Sequence, residues 1–296
     1  MRSEDAGTTW SASHAGLDDD TVSMVATSPP AGDSWVLCAA AGSGIYRSQD
    51  RGTTWQRASS ASDTFHTGAL AVAPASSSGL EVVFTALSDG TLLLGNADGE
   101  WRSLGRPFDQ AAALSLAVSP GFPGDRTVWA VTRLTNRDRQ RAGTRLWCSR
   151  DGGKAWAPWL DADEQVALPV VIPSNFAATG TVFVGIGNRL FRPILHTQAV
   201  RGSETRPIWR QVEVAPRAAS IIALAASPSF HDDATLFVAT STGIVVTRDG
   251  RETFTPLDPE PGPQRPLALV VSPGYQHDRL VYVVALGGEI WRFCDR

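Results

Sequence analysis

The sequence predicts an all-β chain folded as a six-bladed β-propeller, with four antiparallel strands per blade and a ring closed by the N-terminal strand pairing with the C-terminal blade. Three observations carry the prediction. Six aromatics, Trp10, Trp55, Trp101, Trp156, Trp209 and Phe254, follow one another at intervals of 45, 46, 55, 53 and 45 residues. Six prolines that each close an apolar run, Pro29, Pro74, Pro120, Pro173, Pro228 and Pro273, recur at 45, 46, 53, 55 and 45. The two chain ends also read as complementary pieces of one repeat. A period of about 45 residues is that of a four-stranded propeller blade.

Each repeat reads as four short strands. The first is an apolar run such as "VSMVATSP", "LSLAVSP" or "LALVVSP", and the second is β-branched and aromatic, as in "LEVVFTA", "RTVWAVT" or "RLVYVVA". A glycine-bearing turn leads to a third strand, "GIYRS" or "GIVVTR", and the fourth begins at the anchor aromatic, as in "TTWQRA". Alternating β-branched and aromatic residues between Gly, Pro, Ser and Asp are strand signals. No stretch combines helical period with caps. The blades fall at about 17–59, 63–104, 108–160, 164–214, 219–257 and 265–296, the last completed by 1–13, in one domain spanning 1–296. The final repeat stops at "EIWRFCDR", the end of a third strand, while the chain begins with "TTWSAS", a fourth strand without the preceding three. Joining them would leave no blade edge open.

The turn before the anchor aromatic reads Ser-x-Asp-x-Gly-x-x-Trp. Full copies are Ser3-Asp5-Gly7-Trp10, Ser48-Asp50-Gly52-Trp55 and Ser149-Asp151-Gly153-Trp156, and Thr247-Asp249 with Phe254 is partial. This phrase resembles the Asp-box, or BNR repeat, of sialidases, sortilin-type receptors, xyloglucan hydrolases and photosystem II assembly factors. The resemblance implies the propeller fold. The expected role of the box is structural: Ser and Asp bond backbone groups of the turn, Gly takes positive φ, and Trp buries apolar area. The resemblance does not carry the sialidase catalytic residues over, because the Arg-Ile-Pro signature is absent and none of Tyr46, Tyr275 and Tyr282 sits beside an obvious glutamate.

Composition narrows the function. The chain is 43% hydrophobic and 19% charged with a net charge of −4, an ordinary globular balance without general attraction to nucleic acid or membrane. No apolar run reaches the length of a membrane span. The opening residues contain no signal segment, so a cytoplasmic location is expected, or an extracytoplasmic one if a leader has been removed. Three widely spaced cysteines, Cys38, Cys148 and Cys294, make no disulfide framework or zinc knuckle. The histidines lack ligand spacing, so neither a metal nor a cofactor is expected.

Two kinds of loop could carry function. The third repeat replaces a short turn with "TRLTNRDRQRAGT", which with the next residue holds Arg133, Arg137, Arg139, Arg141 and Arg145 against one acid, Asp138. Such a cluster suits carboxylate, phosphate or an acidic protein surface. Without interleaved aromatics it does not suit single-stranded nucleic acid. Acids gather in "HAGLDDD", with Asp18, Asp19 and Asp20, and in "LDADEQ", with Asp161, Asp163 and Glu164. A glycosidase needs two carboxylates about 5–9.5 Å apart, and these loops are the weaker catalytic candidates. The fourth repeat carries a further insertion, "RPILHTQAVRGSETRP". The leading expectation is a non-catalytic binding or scaffolding propeller, a monomeric ring or a subunit of a larger complex, that meets a protein partner or anionic ligand through the arginine loop. The alternatives are a glycan-active hydrolase and an assembly factor.

Overall fold

The structure, a computed structural model, describes residues 1–18, 21–27, 37–41, 44–58, 66–74, 82–96, 99–109, 111–134, 143–162, 169–194, 207–214, 219–250, 253–257 and 265–295. The chain divides into two compact units. One comprises 1–141 and 145–158, the other 142–144 and 159–296.

The first unit begins with a sheet of β1 (Val22–Thr27), β2 (Leu37–Ala41), β3 (Gly44–Ser48) and β4 (Gln56–Arg57), in that order. The second sheet is β5 (Thr67–Val72), β6 (Val82–Leu87), β7 (Leu92–Asn96) and β8 (Trp101–Ser103). The third is β9 (Ala113–Val118), β10 (Val128–Leu134), β11 (Gly143–Ser149) and β12 (Ala157–Ala162), with a one-turn helix α1 (Phe122–Asp125) between its first two strands. Strand β12 runs across the boundary between the units. The second unit holds β13 (Val170–Val171), α2 (Phe176–Thr179), β14 (Phe183–Ile186), β15 (Arg189–Ile194) and β16 (Ile208–Glu213). Next come β17 (Ile221–Ala226), α3 (Phe230–Asp233), β18 (Leu236–Thr240), β19 (Gly243–Thr247) and β20 (Thr255–Pro256). The last sheet is β21 (Pro266–Val271), then α4 (Tyr275–Asp278), β22 (Leu280–Ala285) and β23 (Ile290–Cys294). Every strand pairing with a register is antiparallel between consecutive strands, as a meander requires.

The alternation of each second strand explains the packing. In β18, "LFVAT", every residue is buried. Leu236 and Val238 pack with Phe183, Leu190 and Phe230, while Phe237 and Ala239 pack with Leu269, Tyr275, Val281 and Val283. The strand is therefore covered on both faces and reads as an unbroken apolar run. Burying each such Leu, Val or Phe stabilises by about 1.5–3 kcal/mol.

Two expectations are corrected. The described residues form five complete four-stranded blades, not six, and the remaining sheet has three strands, ending at β23. The N-terminal segment is not its fourth strand. It pairs with itself and bonds the turn that leads into β4. Arg2 and Ser11 exchange N–H···O bonds of 2.8 Å. Trp55 N–H donates to Ala15 O at 2.8 Å, Trp55 Nε1 donates to Ser13 O at 3.2 Å, and Ser13 Oγ donates to Gly52 O. The close approach depends on Gly16, with φ +92°, where a Cβ would lie 2.0 Å from the Trp55 carbonyl oxygen.

The second correction is the four one-turn helices. Each begins on an aromatic and is too short to show a 3.6-residue period. In three of them a serine and an aspartate pin the turn: Ser119 Oγ to Asp125 at 2.5 Å, and Ser227 Oγ to Asp233 and Ser272 Oγ to Asp278 at 2.6 Å. The same carboxylates accept the N–H of Thr127, Thr235 and Leu280. The helix aromatics seat edge-on against an aromatic of the neighbouring sheet's second strand. Phe122 meets Phe84, Phe230 meets Phe183 and Tyr275 meets Phe237, each at 5.6 Å. Such pairs add about 0.5–1.5 kcal/mol beyond burial.

Candidate functional site

The Ser-x-Asp-x-Gly turns form one hydrogen-bond pattern. In the second copy Ser48 Oγ donates to Asp50 at 2.7 Å and accepts from Gly52 N–H at 2.7 Å, while Asp50 accepts from the Thr54 hydroxyl at 2.6 Å and the Thr54 N–H. Ser3, Asp5 and Gly7 repeat this with Thr9, and Ser149, Asp151 and Gly153 with Ala155. Thr247 takes the serine's place toward Asp249 at 2.6 Å. The Thr9 bonds hold the Asp5 carboxyl down at about 2, and those from Thr54 hold Asp50 well below the ordinary carboxylate range. Trp10 and Trp156 donate to the glycine carbonyls of their own turns, at 3.2 and 3.0 Å. Phe254 packs at the edge of the β17–β18 core. Each of these carboxylates accepts hydrogen bonds within its own turn. Among the described residues no three His, Cys, Asp or Glu side chains gather as metal ligands would.

Of the acidic-loop candidates, Asp20, Asp163 and Glu164, together with Asp19, lie outside the described residues. Asp161 is exposed on β12 in the second unit. Asp18 is in the first unit, and its carboxylate accepts from Tyr46 Oη at 2.7 Å and Arg57 Nη1 at 2.9 Å. Arg57 lies over the Tyr46 ring, 5.7 Å from its centroid. Gly44 leaves room for this stack, because a Cβ there would come within 3.1 Å of the Arg57 guanidinium carbon. The Tyr46 hydroxyl and the Arg57 guanidinium lower the Asp18 pKa, so the group stays ionised where a general acid must carry a proton. Burial raises that of Tyr46.

Of the arginine candidates, Arg137, Arg139 and Arg141 lie outside the described residues. Arg133 is exposed on β10 and Arg145 lies on β11, 5.2 Å over the Trp147 ring. The base below them is buried: Val128 to Thr132 on one strand, Leu146 to Ser149 on the other, with Trp147 Nε1 donating to Thr132 Oγ1 at 3.0 Å.

A third cluster was not found from sequence. Asp295, with a side chain 3% exposed, accepts from the buried Tyr275 hydroxyl and from Arg248, while Arg279 stacks 5.1 Å over the Tyr275 ring. Burial, then the bond to Asp295, pushes the Tyr275 hydroxyl up to about 12. Burial likewise pushes the Cys148 thiol up to about 12, so it is an inert core group.

No protein-family model and no curated protein matches the sequence. Solved structures do. A GH74 xyloglucanase from Xanthomonas campestris superposes with a TM-score of 0.66 at 17% identity, over 95% of this chain and 46% of that one. An ancestral GH74 enzyme gives 0.64 at 17%, over 94% and 36%. A putative gluconolactonase gives 0.54 at 15%, over 92% and 89%. The chain thus spans less than half the length of the two GH74 proteins. At these identities the likeness establishes the fold alone, an all-β propeller.

Proposed function

We propose that this chain is a non-catalytic binding propeller that engages an anionic protein surface or ligand through the β10–β11 hairpin. The observation that carries the reading is the build of that hairpin. Its two strands, seven residues each, are the longest among the described residues; β10 carries the exposed Arg133 next to its end, and the largely buried β11 carries the half-buried Arg145. The connecting segment adds Arg137, Arg139 and Arg141. A rigid scaffold whose hairpin is rich in arginine suits bidentate recognition of carboxylate or phosphate. An assembly role would be one use of such a module.

The glycan-hydrolase reading, which the GH74 likeness invites, meets an obstacle at Asp18. Its carboxylate is already bound by Tyr46 and Arg57 and is held ionised, which suits it poorly to the general-acid half of a glycosidase pair. The test is a photocrosslinking residue at position 133, with one at Thr53 as control, exposed to extract of the source cells. A crosslinked species at 133 that disappears in Arg137→Ala/Arg139→Ala/Arg141→Ala supports the reading. Equal labelling at both positions, or release of reducing sugar from xyloglucan by the purified chain, overturns it.

A further inference from the structure

No further inference is drawn: the strongest candidate, the apolar face of the last sheet on which Val270 and Ile290 stand exposed beside Val284, carries nothing, because nothing in the structure shows what covers it.

Discussion

Two clusters built from tyrosine, aspartate and arginine, one in each unit, differ in where the carboxylate sits. Around Tyr46 the ring is buried but the Asp18 side chain is 69% exposed, while around Tyr275 the Asp295 side chain is 3% exposed. The partner types are the same, a phenol and a guanidinium donating to one carboxylate. The difference lies in what replaces a lost bond. Water reaches Asp18 and can take over from either donor. Water does not reach the Tyr275 hydroxyl, so removing its acceptor strands a buried donor, which costs more than the bond contributes. The first cluster therefore holds a surface carboxylate ionised, and the second ties the end of β23 to α4 and to the turn after β19.

The largest expected effect follows from breaking the buried cluster. Asp295→Ala should lower the unfolding free energy by about 2–3 kcal/mol, read from urea denaturation. Asp295→Asn keeps an oxygen acceptor and should cost only about 1 kcal/mol. Tyr275→Phe removes the donor but keeps the ring against Phe237, and should cost about 1–2 kcal/mol through the abandoned Asp295 carboxylate. An alanine variant no worse than the asparagine variant would mean that Tyr275 finds another acceptor.

The high pH limb sharpens the same contrast. The Tyr275 hydroxyl ionises at about 12 instead of the ordinary 10.0. A folded pKa raised above the unfolded one contributes stability that is full below pH 10 and is lost as pH climbs toward 12. Absorbance titration of the three tyrosines should therefore resolve Tyr275 as the late one, with unfolding following its ionisation. Its titration together with an exposed phenol near 10 would remove the buried bond from the account.

What the sequence could yield tracks what is local in it. The strand meanders and the Ser-Asp-Gly turns were legible because each is written within one repeat, and Ser48, Asp50 and Gly52 bond one another four residues apart or less. The one-turn helices had a signal, an aromatic at 122, 176, 230 and 275 two or three residues after the proline, but one turn has no period to detect. The fate of the N-terminal segment is not written in its letters, because "TTWSAS" fits a fourth strand equally well wherever it lands, whereas in the structure Ser11 bridges to Arg2. The clamp on Asp18 comes from Tyr46 and Arg57, 28 and 39 residues away, and is not visible in spacing.

The smallest expected effect belongs to the exposed cluster, and it is the one that tests the contrast from the other side. Asp18→Asn at neutral pH should leave the urea midpoint within the scatter of repeat measurements, because an exposed ion pair contributes little and water serves as the substitute. The sign in acid is defined: the Asp18 pKa is lowered from 3.8 by the bonds from Tyr46 and Arg57. Its contribution is present above that value and is lost as pH falls through the lower folded one. The native and Asp18→Asn chains should therefore have the same midpoint at pH 7, with any gap between them shrinking further toward pH 2. If Asp18→Asn instead weakened the fold as much as Asp295→Ala, exposure would not be what separates the two clusters, and the Tyr46–Asp18–Arg57 group would have to be counted among the supports of the first unit.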